Sequence, residues 1–162
     1  MKYILVFLTP LFLYILSCKE EDSISENINS DNNIATSAEI TSVSVSGNKN
    51  NYTFAIGIKS PDTGCQQYAD WWEIISETGE ELLYRRILAH SHVSEQPFIR
   101  SGGPVSITEQ QTIYIRAHMN TSGYGAIAYK GNIRDGFVKV TLETGFANQL
   151  AEIAPLPSGC AF

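Results

Sequence analysis

Three histidines carry the most concrete potential chemistry in this chain: His90 and His92, flanking Ser91, and His118 further on. On extended backbone, positions two apart point to the same face, so His90 and His92 could both reach one metal ion. His118 falls on the outward parity of a later strand, together with Tyr114 and Arg116. If the two strands are neighbours, three imidazoles converge, with Glu95 as a nearby carboxylate. Imidazole nitrogens with a carboxylate suit zinc or copper. The same residues, at a strand end and in a loop, equally suit polar side chains bonded to backbone, and both readings stand at this point.

The order His90, His92, Glu95, Gly102 resembles the first motif of the cupins, in which His-x-His is followed by a Glu and then a Gly. That resemblance spans a short part of the chain and implies a small metalloenzyme with these side chains as ligands. Other groupings point to binding. Arg85 and Arg86, with Arg100 and Arg116, would form an anion site or pair with Glu73, Glu77 or Glu95 across a sheet. Tyr68, Trp71, Trp72 and Tyr84 would make a carbohydrate platform if exposed and a core if not. Ser101-Gly102-Gly103-Pro104 lacks the strand-to-helix setting of a nucleophile elbow, and the chain has no phosphate loop. The net charge of −6, with no basic stretch, excludes a nucleic-acid footprint.

The start of the chain concerns location. Lys2 precedes an uncharged, nearly unbroken apolar run from Tyr3 to Leu16. At about fourteen residues the run is shorter than the ~20 a spanning helix needs, and Pro10 interrupts it. It reads as an export signal over residues 1–17. Its end, Ile15-Leu16-Ser17-Cys18, resembles the bacterial lipobox, which implies acylation of Cys18 and a lipid anchor in a membrane. Lys19-Glu20-Glu21-Asp22 resembles the sorting signal of Bacteroidota surface lipoproteins. That resemblance implies the outer membrane and its external face, with the periplasmic face as the alternative. Each buried acyl methylene contributes roughly 0.8 kcal/mol, so two or three chains hold a protein firmly. Residues 18–37 then read as an acidic tether: Ser23 to Ser37 is rich in Ser, Asn and Asp and too poor in large apolar groups to offset ordering entropy. With Cys18 given to lipid, Cys65 and Cys160 remain as an even pair in an exported protein and are expected to form a disulfide.

Residues 38–162 must position the candidate side chains. Apolar and polar residues alternate from Ile40 through Val45, from Tyr52 through Ile58, and from Ile113 through Met119, the period of half-buried strands. Trp71–Ser76, Leu82–Ala89, Ala126–Lys130 and Phe137–Leu142 add further strands, and Pro97–Arg100 a short edge strand. The adjacent tryptophans of the third strand must face opposite sides. Turn chemistry marks 47–51, 60–64, 77–80 and 101–104, and residues 145–153 suit a short helix. Seven or eight short strands without a long helical pattern predict an all-β antiparallel sandwich, resembling immunoglobulin and fibronectin domains in spacing only. The function that follows is a non-enzymatic, membrane-anchored binding domain for an unknown protein or glycan. The histidine-based zinc or copper site is the alternative.

Overall fold

The structure, a computed structural model, describes residues 36–161. The signal-like stretch, Cys18 and most of the tether lie outside the described residues. Among the described residues nine strands run as β1 (Glu39–Asn48), β2 (Asn51–Lys59), β3 (Ala69–Ser76), β4 (Leu82–Ile87), β5 (Phe98–Val105), β6 (Ile113–Met119), β7 (Gly123–Tyr124), β8 (Ile127–Asn132) and β9 (Gly136–Thr141). Every pairing is antiparallel. One sheet has the order β1-β2-β5; the other has β4-β3-β6-β8-β9, with β7 alongside β6. The protein is an antiparallel β-sandwich.

Alternation explains the core between the sheets. Tyr52, Phe54, Ile56 and Ile58 of β2 meet Trp72 and Ile74 of β3 and Ile113, Ile115, Ala117 and Met119 of β6, all buried. Strand β3 is different from the rest: every residue from Ala69 to Ile75 is buried, so both its faces are covered. Apolar residues at both parities are the pattern of a strand covered on each side. Trp72 faces the other sheet, and Trp71 faces the outer side of its own.

What covers that outer side is the C-terminal segment. Ala147 and Leu150 pack on Ile75, with Phe146, Tyr114 and Leu82 around them. The expected helix is a single 3-10 turn, Asn148–Glu152. The expected disulfide is present: Cys65, between β2 and β3, is joined to Cys160, and the neighbouring Ala161 N–H donates to the Ala89 carbonyl at 2.5 Å.

One local expectation is corrected. Residues 101–104 are not a turn but the second half of β5, paired to β2 across an irregularity between Tyr52 and Phe54. The two glycines serve close packing there. A Cβ on Gly102 would lie 2.6 Å from the Tyr84 hydroxyl and 2.9 Å from the Trp72 ring. Tyr84 Oη in turn accepts the Gly103 N–H at 2.9 Å. Pro104 is tolerated because β5 is an edge strand.

Candidate functional site

The outer face of β3 and β6 holds a set of charged and aromatic side chains. In register, Glu73 lies opposite Arg116 on β6 and Arg85 on β4. The Glu73 carboxylate is fully buried and takes both arginines: Arg85 Nε and Nη2 reach Oε2 at 2.8 and 2.6 Å, and Arg116 Nε reaches Oε1 at 2.8 Å. The remaining guanidinium donors turn to the C-terminal segment. Arg116 donates to the carbonyls of Phe146 and Ala147 at 2.7 and 2.8 Å, and Arg85 to those of Leu150, Ile153 and Pro155 at 2.6, 2.5 and 3.2 Å. A C-terminal segment whose regular structure is a single 3-10 turn thus has its carbonyls satisfied by buried cations, which fixes its course over the sheet. Of the carboxylate partners open from sequence, Glu73, Glu77 and Glu95, it is Glu73 that takes Arg85 and Arg116. Arg116 lies on the outward face of β6, as its parity predicts, and the C-terminal segment buries it there.

Next to the triad, His118 lies opposite Trp71 and stacks on it at 3.6 Å between ring centres, nearly parallel. Tyr124 of β7 meets both rings edge-on, at 4.8 Å from His118 and 6.2 Å from Trp71, and the Arg116 guanidinium lies 3.4 Å from the centre of its ring. Burial, followed by the Glu73 carboxylate, pushes the Tyr124 phenol up to about 12. The imidazole Nδ1 is 2.7 Å from Asp70 Oδ1. By strict alternation Asp70 would point to the opposite face from Trp71. The β3–β6 register shifts between Ala69 and Trp71, and this bulge turns the Asp70 side chain toward His118. Sequence reasoning therefore missed Asp70, and no period-2 signal reveals it.

This group borders an open cleft of about 400 Å3 between the β6–β8 connection and the residues following β9. His118, Tyr124 and Arg116 line it from the sheet side, and Glu143, Phe146 and Asn148 from the other. Gly123 adjoins the imidazole at a φ of +75°, which favours glycine; a Cβ there would make an ordinary contact, 3.9 Å, with His118 Nε2. A carboxylate at Nδ1 selects the tautomer that carries its hydrogen there, which leaves Nε2 as the acceptor of that tautomer.

The other histidines occupy a different place, and the expected convergence is not formed. Strand β3 separates β4 from β6, so the chain leaving β4 carries His90 and His92 away from His118. His92 is buried and stacks on Phe98 at 3.7 Å, with the exposed His90 ring 4.5 Å away. Its backbone N–H donates to Asp62 Oδ2 at 2.8 Å, while Asp62 Oδ1 accepts the Ala69 N–H at 3.0 Å. Gln96 binds this loop from the far side, accepting the Ser60 N–H at 2.9 Å and donating to the His92 carbonyl at 3.0 Å. Neither His92 ring nitrogen has a hydrogen-bond partner, since Asp62 Oδ2 is 3.9 Å from Nδ1. Burial, then Arg100 and His90, lowers the His92 pKa against the weaker opposing pull of Asp62 and Glu95. Glu95 pairs with Arg100 at 3.0 Å, which holds its carboxyl below the usual range. Among the described residues no three of His, Cys, Asp or Glu form a group that could hold a metal ion. The aromatic platform is also not formed: Tyr68, Trp71 and Trp72 are buried, and Tyr84 packs against Trp72.

No protein-family profile matches the chain, and no solved structure matches it. A protein of Halomicrobium mukohataei named "Putative lipoprotein" is 38% identical over 76 residues, which are 46% of this chain and 36% of that protein. The chain thus spans about a third of the length of the curated relative it matches.

Proposed function

We propose that the chain is a lipoprotein of the bacterial outer membrane, held through an acylated Cys18 and displayed at the cell surface. Its sandwich binds a small ligand in the cleft beside His118 without catalysing a reaction on it. The lipobox-like end of the leader supports the anchor, and the name of the relative fits it. Among the described residues no helix is long and apolar enough to cross a membrane.

One observation carries the binding reading: a carboxylate-oriented imidazole opens onto a cleft of about 400 Å3, within the size range of small-molecule sites. The sheet beneath that imidazole is held by the buried ion triad, so the ligand-facing group is in place before anything binds.

Two experiments test the reading. Growth with an alkyne fatty acid should label the wild-type protein and leave Cys18→Ala unlabelled, and protease added to intact cells should remove the domain. Label retained by Cys18→Ala would refute the anchor. Full protection from protease on intact cells would move the domain to the periplasmic face.

A further inference from the structure

The chemistry of the cleft selects among ligands. We infer that it takes a neutral, polyhydroxylated small molecule of the saccharide type, recognised through a hydroxyl donated to His118 Nε2. This rests on the cleft being a ligand site, the reading given above.

Charge comes first. The buried charged residues around His118 are Asp70 and Glu73 against Arg85 and Arg116, two of each sign. With Nδ1–H directed at Asp70, the matching tautomer presents Nε2 as an acceptor. An anionic ligand finds no counter-charge. Among the described residues lining the cleft, Arg116 is the sole cation. Its guanidinium is already held by Glu73, by two carbonyls and against the Tyr124 ring. The exposed Glu143 carboxylate would repel an anion further. A cationic ligand stacked on Tyr124 meets the opposite problem, since the Arg116 guanidinium already lies over that ring.

What remains is a neutral ligand with several donor-acceptor groups. Glu143 accepts, the Thr144 hydroxyl and Asn148 amide do both, and Nε2 accepts; all four residues line the cleft. Phe146 and Tyr124 supply apolar faces for the C–H side of a sugar ring. The volume of about 400 Å3 accommodates a ligand of this kind.

The test uses the mature lipoprotein in a sugar-free nonionic detergent. Saturation-transfer NMR and calorimetry are run with a panel of neutral mono- and disaccharides, with acetate and inorganic phosphate, and with a primary alkylamine. At least one saccharide is expected to bind, and neither the anions nor the amine. His118→Phe keeps a ring on Trp71 but removes both nitrogens, and should weaken saccharide binding about tenfold, the upper end for one hydrogen bond. Asp70→Asn should do the same by a different route. It removes the carboxylate that holds Nδ1–H, and with the amide nitrogen toward the ring the hydrogen moves to Nε2, turning the acceptor into a donor. Binding of anions or amine in preference to saccharides would overturn the inference and leave the cleft a ligand site. Saccharide binding unaffected by both variants, with their thermal unfolding showing them folded, would also overturn it. No binding by any probe would refute the cleft reading itself.

Discussion

Removing the Glu73 carboxylate should be the most damaging single polar change in the domain. In Glu73→Gln the shape is kept, and one oxygen remains to accept. Its partner becomes an N–H group aimed at a guanidinium that previously bonded Oε1 or Oε2 at 2.6–2.8 Å. Both arginines are buried, so the charge left behind cannot turn to water. Breaking a buried ion pair by removing one partner costs about 3–5 kcal/mol, because the other charge stays desolvated. Five backbone carbonyls still hold the guanidinium groups, which keeps the estimate at the low end. For a domain of this size the loss corresponds to a Tm lower by roughly 10–20 °C. Urea unfolding followed by tryptophan emission suits the measurement, because Trp71 and Trp72 lie on the two faces of the strand that carries Glu73. Adding Arg116→Met to Glu73→Gln should cost less than the two single changes summed, since it removes one of the stranded charges. A loss below about 1 kcal/mol in Glu73→Gln would refute the reasoning and show that the carbonyls alone neutralise the arginines.

Three further outcomes are expected. Replacing Cys65 and Cys160 by serine opens a loop of 95 residues and should lower stability by about 4 kcal/mol in the chain-entropy picture, measured by denaturation against the oxidised protein. His92 has its pKa lowered from 6.5 by burial, so the unfolded chain takes up that proton first. The associated stability is present above pH 6.5 and is lost as pH falls through 6.5 toward the lower folded value; His92→Leu should flatten that slope in Tm measured from pH 7.5 to 5. Gly102→Ala places a methyl against Tyr84 and Trp72 and should cost about 1–3 kcal/mol, whereas a residue in an exposed turn would show a few tenths.

The protein's alternation and its cysteine parity were readable without coordinates. Ile113, Ile115, Ala117 and Met119 alternate with polar residues because one face of β6 meets the opposing sheet, and all four are buried. The pairing of Cys65 with Cys160 followed from assigning Cys18 to lipid, and it is the pairing found. That the arginines pair with carboxylates across a sheet was legible as one possibility, but sequence left Glu73, Glu77 and Glu95 open as partners. The run Trp71-Trp72-Glu73-Ile74-Ile75 held a signal for the covered outer face, since both parities are apolar apart from Glu73.

The candidate site was legible only in fragments. His118 was singled out, but with the wrong company. Strand order decides neighbours, and β3 lies between β4 and β6, so the His90–His92 pair and His118 belong to different surroundings. Asp70 reaches His118 only because a bulge breaks the alternation that sequence reading depends on. The cleft needs residues 122–126 and 142–148 brought together, which neither stretch encodes by itself. Sequence by itself determined the local quantities: which residues alternate and which cysteines pair. Tertiary structure decided what lies against the outer face of β3 and β6, because covering a face is a choice among distant segments, made by the buried charges that hold the C-terminal carbonyls and not by any period in the chain.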